Sequence, residues 1–232
     1  MRVPVNIHRW DRIAFLHWPV APRALARLLP AGLSPLTWEG AAWVSVTPFV
    51  MRVRPPGVPV VPPGWTFPET NVRTYVAGPD GGEGLWFLHM EVTARWFVVT
   101  LRAFGLPYVH RRMAVTIAGD RSMYRSRPRP AGAPCGGGHD IVVRTGRPLG
   151  PPGGGPFERF LTARWAAYHR RGSLLLRTPV DHPPWPLRHA RAERCMVGGL
   201  FRAAGLDPPD GPPVVHASSG VAVRVGPPRR VG

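Results

Sequence analysis

The chain has 232 residues, 44% of them hydrophobic, which is enough to bury a substantial core, and we expect residues 1–232 to form one domain. All thirty basic residues are arginine and none is lysine, and the formal net charge is +17 at pH 7. Because a guanidinium stays protonated and forms no Schiff base, this composition excludes imine catalysis by a lysine side chain.

The basic charge is spread along the chain and is not concentrated in an arm. Adjacent arginines occur only at 111–112, 170–171 and 229–230. Dispersed charge is typical of a solvated surface, and a GC-rich coding background also produces arginine in place of lysine. A basic nucleic-acid binder is therefore the least favoured function class, and we expect nucleic acid not to be a partner.

The motifs indicate neither a metal site nor a nucleotide cofactor. The two cysteines, Cys135 and Cys195, form no CxxC, and the nine histidines show no HxH or HExxH spacing. The glycine triplets do not follow the GxGxxG pattern. We therefore predict no metal and no cofactor. Charged residues interrupt the amino-terminal segment, which argues against a signal peptide or a membrane span and favours a cytoplasmic protein without a membrane partner.

The 31 prolines and 27 glycines predict many turns, and so a β-rich chain instead of a helical bundle. In chain order we predict a helix over 23–29, strands over 42–51, 71–77 and 85–93, a helix over 94–104, strands over 111–118, 123–127 and 140–145, a helix over 157–170, a strand over 174–177, a helix around 197–204 and a last strand over 221–225. Predicted loops cover 54–63, 128–138 and 148–156, and we interpret the last of these as internal to one domain.

Two of the predicted helices depend on apolar residues. Residues 94–104 contain few polar side chains and end before Gly105, which favours a buried helix, although Val98-Val99-Thr100 would also suit a strand. Residues 157–170 favour an amphipathic helix, because apolar side chains recur at helical spacing: Phe157, Phe160, Leu161, Trp165 and Tyr168.

The predicted hairpin over 71–77 and 85–93 carries the candidate functional residues. Side chains alternate across a strand, and the polar ones around the first strand share one face: Glu69, Asn71, Arg73 and Tyr75. Such a row forms either the solvated outer face of an antiparallel sheet or the lining of a barrel mouth. In a barrel mouth a carboxylate can transfer protons and an arginine can bind an anionic ligand.

The second hairpin strand divides in the same way, with His89 and Glu91 on its polar face. If like faces pair, His89 lies opposite Arg73 or Tyr75, and Glu91 lies opposite Asn71 or Arg73, depending on the register. Either register would bring an arginine, a histidine and carboxylates together.

Six motifs follow one another along the chain: Phe15 to Val20, Leu28 to Leu33, Trp43 to Phe49, Glu69 to Val76, Phe104 to Tyr108 and His182 to Leu187. In this order they resemble the motifs of a bacterial family, the domain-of-unknown-function family 2071, which is grouped with acetoacetate decarboxylase. The resemblance covers almost the whole chain. It implies an α+β, β-rich fold in which a curved antiparallel sheet closes into a cone or barrel around a cavity, with peripheral helices.

The chain departs from the decarboxylase that this family resembles. In the decarboxylase a glycine-x-proline turn precedes the lysine pair that carries the Schiff base, whereas here the similar turn, Gly105-Leu106-Pro107, precedes Tyr108 and Val109. Glu69 resembles the carboxylate that the decarboxylase places in its cavity. Tyrosine, proline and aspartate of family members are replaced here by Ala217, Ser219 and Ala222.

These observations favour a decarboxylase-like cavity protein that lacks the Schiff-base lysine and binds a small anionic or carbonyl-bearing molecule. The predicted substrate-binding residues are Arg73 as anchor, Asn71, Tyr75 and His89, and the predicted catalytic residues are Glu69, Tyr108 and Glu91. Tyr108 would donate a proton to an enolate oxygen and a glutamate would act as base, in isomerase, cyclase or lyase chemistry. The sequence leaves open whether any turnover occurs. The alternative is a non-catalytic ligand-binding or interaction protein, and a homo-oligomer also remains open.

Overall fold

The computed structural model describes residues 4–127 and 137–232, and most of its elements are strands. The helices are α1 Pro22–Ala26, α2 Arg95–Arg102, α3 Pro156–Thr162 and α4 Gly198–Ala203. The strands are β1 Asn6–Val20, β2 Ser34–Pro35, β3 Thr37–Trp38, β4 Ala41–Arg54, β5 Thr66–Ala77, β6 Glu83–Val92, β7 Tyr108–His110, β8 Met113–Ala118, β9 Arg121–Ser126, β10 His139–Pro148, β11 Ala166–Arg171, β12 Leu174–Asp181, β13 Leu187–Met196, β14 Val214–Val225 and β15 Arg229–Arg230.

The strands form one curved sheet that closes on itself. Seven of them are hydrogen-bonded in the order β12-β11-β6-β5-β4-β1-β14, and β14 pairs back onto β12, where Val225 lies opposite Val180. The sheet continues beyond β14 through β13, β10, β9 and β8. Among the described strands the pairing is antiparallel except that β6 runs parallel to β7 and to β11. The predicted β-rich fold, with a curved sheet around a cavity and few peripheral helices, is confirmed.

Both faces of β4 and β5 are buried, because each face packs against a different core. On the inner face Phe49 belongs to a cluster with Trp185. On the outer face Val72 packs in a second cluster with Ile141 of β10 and Phe201 of α4. The polar row of β5 is therefore not the solvated face of a sheet, and of the two alternatives that the alternation leaves open, the structure shows the enclosed one.

The hairpin register differs from the predicted pairing of like faces. Opposite β5, Glu91 lies beside Thr70 and His89 beside Val72, whereas Arg73 lies beside Phe87. The register shifts at this point, because Leu88 is an extra residue of β6 that forms a β-bulge. A bulge turns the following side chains to the opposite face, so Arg73 meets neither His89 nor Glu91, and the predicted cluster is wrong.

Two predicted helices need correction. The helix predicted over 157–170 ends at Thr162, and residues 166–171 form β11, where Tyr168 pairs with Trp86 of β6. The backbone hydrogen bonds of this pairing outweigh the helical spacing of the apolar residues. The helix predicted over 94–104 is present as α2 but is buried on one side only, because Phe97 and Val98 pack in the core whereas Trp96 is 38% exposed and Val99 is 74% exposed.

Two long strands, β1 and β13, were not predicted. β1 alternates polar and apolar residues over part of its length and contains a register shift near Arg12, whose φ is +52°. Of the loop predicted over 128–138, residues 128–136, which include Cys135, lie outside the described residues. None of the helices in the described ranges has the length and apolar character that crossing a membrane requires.

Candidate functional site

The inner face of the closed sheet surrounds a cavity with a volume of about 130 Å³. Its polar lining consists of His8, Glu69, Asn71, Arg73, Tyr108, Thr162, Arg164, His169, Thr178 and His182. Much of the remaining wall is aromatic and comes from Trp10, Phe49, Phe87, Phe97 and Trp185. A largely apolar cavity with a few convergent polar groups is the usual architecture of a small-molecule site.

Glu69 and Tyr108 form a buried acid pair in this cavity. The Tyr108 hydroxyl donates to both carboxylate oxygens of Glu69, at distances of 3.2 and 3.3 Å. Burial raises the pKa of Glu69 to about 8, although hydrogen bonds from Asn71 and Tyr108 lower it. Burial and the neighbouring Glu69 also raise the pKa of Tyr108 well above 10. At neutral pH both groups therefore carry protons, and Glu69 becomes a base only at mildly alkaline pH.

Asn71 lies between the acid pair and the strand behind it. The Thr47 hydroxyl donates to the Asn71 side-chain oxygen, which leaves the Asn71 amide hydrogens for Glu69. This arrangement fixes which way the amide points. Asn71 thus orients Glu69 and is a wall of the cavity at the same time.

Arg73 brings a positive charge to the cavity. The residue is 5% exposed, and its guanidinium lies 5.4 Å from the centre of the Phe15 ring. Among the described residues no carboxylate forms an ion pair with it, and its buried Nε atom has no hydrogen-bond partner. Burial lowers the pKa of Arg73 from its usual range, and a guanidinium remains a cation at physiological pH.

Arg164 places a second guanidinium in the lining of the same cavity. It was not among the site residues predicted from the sequence. Its Nη2 atom lies 3.7 Å from Glu83, a carboxylate with 58% of its side chain exposed, so the pair is weak. Arg164 also stacks over the rings of Tyr75 and Phe160, at 5.4 and 5.2 Å. Arg164 lies between α3 and β11, whereas Arg73 is on β5. The closure of the sheet brings both residues to the same cavity.

Four further cavity residues were not among those predicted from the sequence. His8 is buried with both ring nitrogens unpartnered among the described residues, and burial lowers its pKa to about 4. His182 packs at 5.2 Å against Trp185, and Trp10 stacks on Trp185 at 6.1 Å. The motif His182-Pro183-Pro184-Trp185 was the available signal for two of them, whereas His8 and Trp10 lie in the strand that was not predicted.

Tyr75 belongs to the polar row but does not line the cavity. Its hydroxyl lies 2.5 Å from Ser45 Oγ and donates to the Leu161 carbonyl oxygen at 2.7 Å. Burial raises the pKa of this phenol, and the neighbouring charge of Arg73 lowers it. Tyr75 therefore lies behind Arg73 and contacts the cavity only through it.

His89 and Glu91 lie outside the cavity, on the other face of β6. The Glu91 carboxylate accepts hydrogen bonds from Arg111 Nε at 3.2 Å, Ser126 Oγ at 2.6 Å and the Gly138 backbone N–H at 3.1 Å. The His89 Nε2 atom lies 3.4 Å from the same carboxylate. The structure thus brings Glu69, Asn71, Arg73 and Tyr108 together and separates Glu91 from them.

The surroundings of Glu91 keep it ionised. Burial alone raises its pKa, but hydrogen bonds from His139, His89 and Ser126 outweigh that effect and hold the pKa well below its usual range. A carboxylate with so many donors is a structural anion. In the described ranges no cluster of histidine, cysteine or acidic side chains is arranged to hold a metal ion.

The Gly105-Leu106-Pro107 turn positions Tyr108 in the wall of the cavity. Gly105 has φ of +84°, and a Cβ atom at this position would lie 1.7 Å from the Arg170 carbonyl oxygen of β11. Only glycine fits such a close approach. The turn is thereby pressed onto the sheet, and the next strand, β7, begins at Tyr108 beside Met90 of β6.

Comparison with solved structures shows the same fold in enzymes. The enduracididine biosynthesis enzyme MppR complexed with pyruvate aligns with a TM-score of 0.71 at 16% identity, covering 100% of this chain and 92% of MppR. An acetoacetate decarboxylase-like enzyme from Sphingomonas wittichii RW1 aligns with a TM-score of 0.68 at 13% identity, covering 99% and 94%. Acetoacetate decarboxylase from Legionella pneumophila aligns with a TM-score of 0.65 at 13% identity, covering 100% and 92%.

Sequence comparison finds a relative with a higher identity to this chain than these solved structures have. The uncharacterized protein YqjF of Bacillus subtilis (strain 168) is 30% identical over 221 residues, which cover 89% of this chain and 84% of YqjF. The model of the family DUF2071, described as an uncharacterized conserved protein, matches residues 8–222. The chain therefore belongs to the DUF2071 family, and its fold is that of the acetoacetate-decarboxylase-like enzymes.

Proposed function

We propose that this protein binds a small carboxylate that also carries a carbonyl group, and that it promotes proton transfer between carbon and oxygen of that ligand. One observation carries the proposal: the buried Glu69–Tyr108 pair shares its cavity with Arg73, a buried guanidinium without an ion-pair partner in the described part of the chain. An acid pair and an anion anchor in one cavity are the groups that such chemistry needs.

The charge balance of the cavity favours an anionic ligand. A buried cation without a carboxylate partner costs free energy, because water no longer solvates it. Arg164 adds a second positive charge nearby, and Glu69 is protonated at neutral pH and offsets neither. A ligand carboxylate at Arg73 would offset this cost and would gain a charge-assisted hydrogen bond from the unpartnered Nε.

Pyruvate is the simplest probe with the required groups. It has a carboxylate, a keto oxygen and an acidic methyl group in one small molecule, and the structurally similar MppR was captured with it. Pyruvate is put forward as a probe of the class of oxo acids and not as the natural ligand, since the apolar lining of the cavity also suits a larger apolar substituent.

The proposed step is the interconversion of keto and enol forms. The Glu69 carboxylate takes a proton from the carbon next to the carbonyl group, and Tyr108 donates its proton to the carbonyl oxygen. Glu69 then returns a proton to Tyr108 through their hydrogen bond, so the ligand becomes an enol and both residues recover their initial states. Isomerisation, cyclisation and lyase reactions can each proceed from such an enol.

A non-catalytic ligand-binding protein is the second candidate. The pKa of about 8 at Glu69 favours it, because a protonated Glu69 binds a carbonyl oxygen well but removes no proton from carbon at neutral pH. The two candidates differ in a single measurable event, which is exchange of the carbon-bound protons of the ligand with solvent.

The experiment is proton NMR of pyruvate in D₂O with the full-length protein. We expect the methyl signal to disappear faster with protein than without it, and Glu69→Gln to reduce the catalysed exchange at least about a hundredfold. Binding of pyruvate without any catalysed exchange at pH 9 would leave the non-catalytic candidate. Absence of both binding and exchange, for pyruvate and for acetoacetate, would overturn the proposed function.

A further inference from the structure

A row of three buried polar side chains lies behind Arg73 and has no place in the proton transfer. His17, Ser45 and Tyr75 are each fully buried. Cross-strand pairing brings them together, because His17 lies opposite Ser45 between β1 and β4, and Ser45 lies opposite Arg73 between β4 and β5. Tyr75 is two residues beyond Arg73 on the same face of β5.

The hydrogen bonds of this row can run in one direction only. The Leu161 carbonyl oxygen is an acceptor, so the Tyr75 hydroxyl must donate its only proton to it, at 2.7 Å. At 2.5 Å from Tyr75, Ser45 Oγ must then donate to the phenol oxygen. His17 Nδ1 lies 2.5 Å from Ser45 Oγ and 3.2 Å from the Tyr75 oxygen, so it must in turn carry a proton and donate it to Ser45, with Tyr75 as a second, longer acceptor.

The direction determines which atoms remain available at each end. The only hydroxyl proton of Tyr75 is used in the hydrogen bond to Leu161. Toward Arg73 the phenol oxygen can therefore act only as an acceptor, which suits a guanidinium that can only donate. At the other end His17 keeps an unprotonated Nε2, which has no partner among the described residues. The ring centre of His216 lies 5.8 Å from that of His17.

We infer that His17, Ser45 and Tyr75 form a one-directional hydrogen-bond chain that positions the Arg73 guanidinium over the cavity. The role of Arg73 as ligand anchor rests on the proposed function, whereas the chain and its direction do not. The three residues are positioning residues, since none of them lines the cavity. A chain that ends on the Leu161 backbone carbonyl, within α3, also ties Arg73 to the helix that precedes Arg164.

The surroundings keep the chain intact over the physiological pH range. Burial, His216 and Arg73 together lower the pKa of His17 well below 6.5. The polar and charged groups near His17 are Ser45, Tyr75, His216 and Arg73, and His216 has Glu158 at 3.9 Å from its Nε2. Burial likewise raises the pKa of Tyr75, so the phenol stays neutral.

The first measurement is the tautomer of His17 in the unliganded protein, by NMR with ¹⁵N-labelled histidine and backbone-linked assignment. The chain requires a proton on Nδ1 and none on Nε2 at pH 7. The opposite tautomer would overturn the inference, because His17 could not then donate to Ser45.

The second measurement compares Tyr75→Phe and Ser45→Ala with Thr74→Val, using the Arg73 Nε–H signal and pyruvate titration. Thr74 is a matched control on the same strand, because its fully buried hydroxyl donates to the Trp43 carbonyl on the opposite face. We expect both chain variants to speed the solvent exchange of Arg73 Nε–H and to weaken pyruvate binding about tenfold, with Thr74→Val changing neither.

The two measurements separate this inference from the proposed function. If the wild-type protein binds no pyruvate, the His17 tautomer and the Arg73 signal still decide whether the chain positions Arg73. If Tyr75→Phe leaves the Arg73 signal identical to that of Thr74→Val, the inference fails even when pyruvate binds.

Discussion

Tyr108 donates a hydrogen bond to both oxygens of Glu69, a residue 39 positions earlier in the chain, and the two side chains meet inside a closed sheet. In the sequence, Tyr108 follows the Gly105-Leu106-Pro107 turn, which resembles the turn before the Schiff-base lysine of acetoacetate decarboxylase. Under the proposed function, this acid and this phenol exchange a proton, and the chain has no lysine amine that could form an imine.

The exchange reaction should depend on pH in a defined direction. Because Glu69 acts as a base only when ionised and burial raises its pKa to about 8, the exchange rate should rise with pH and level off above about 8. The Tyr108 hydrogen bond lowers the pKa of Glu69, so Tyr108→Phe should move the midpoint to higher pH. Rates of methyl-proton exchange between pH 6 and 10 test both statements, and a midpoint that moves down in Tyr108→Phe contradicts this geometry.

Glu69 should reduce the stability of the fold as pH rises. Its pKa is about 8 in the folded chain and near 4.5 when unfolded, so between these values the folded state holds a proton that the unfolded state has lost. The free energy of unfolding should therefore fall by roughly 1.4 kcal/mol for each pH unit in that window, from this group alone. Glu69→Gln removes this slope, and urea denaturation of both proteins at pH 5, 6.5 and 8 measures the difference. If the free energy of unfolding changed with pH equally in both proteins, the assigned pKa of Glu69 would be contradicted.

Arg73 should contribute to ligand binding and little to folding. Arg73→Gln removes a buried cation without an ion-pair partner, so we expect pyruvate to bind at least about tenfold more weakly while the melting temperature stays equal or rises. The exposed Arg23 serves as the charge-matched control, and Arg23→Gln should bind pyruvate as the wild type does. Calorimetric titration and thermal melts give both quantities, and a large drop in melting temperature would show that Arg73 is structural.

Glu91 should behave in the opposite way. Glu91→Gln breaks a buried ion pair with Arg111, and we expect a loss of about 3 kcal/mol or more in the free energy of unfolding at pH 7. Since the folded pKa of Glu91 is held below its usual range, its contribution is present above about pH 4.5 and is lost as pH falls through the folded value. Catalysed exchange per folded molecule should be unchanged. Loss of exchange with full stability would return Glu91 to the list of catalytic candidates.

The Gly105 turn offers a test of close packing. Gly105→Ala combines a strained positive φ with a contact on the Arg170 carbonyl, whereas Gly119→Ala has φ of +59° and nothing within 4 Å of the new Cβ. We expect Gly105→Ala to cost at least about 2 kcal/mol more than Gly119→Ala in urea denaturation. Equal losses would mean that the turn can move away from β11, and Tyr108 with it.

The hairpin shows how far local sequence reasoning reaches. Alternation along β5 correctly placed Glu69, Asn71 and Arg73 on one face, because side-chain direction within a strand depends only on residue spacing. The partner strand could not be aligned in the same way. A β-bulge at Leu88 depends on what packs on each face of β6, and it moved His89 and Glu91 out of the site.

The sequence by itself determined which chemistry is excluded and which strand face carries the polar row, because both follow from residue type and spacing. The absence of lysine and the Gly105-Leu106-Pro107-Tyr108 segment were visible without a fold. Only the tertiary structure decided that the row is enclosed, that Arg164 and His8 face it, and that residues 166–171 are a strand. Those outcomes depend on hydrogen bonds and packing between segments far apart in the chain, which residue spacing does not encode.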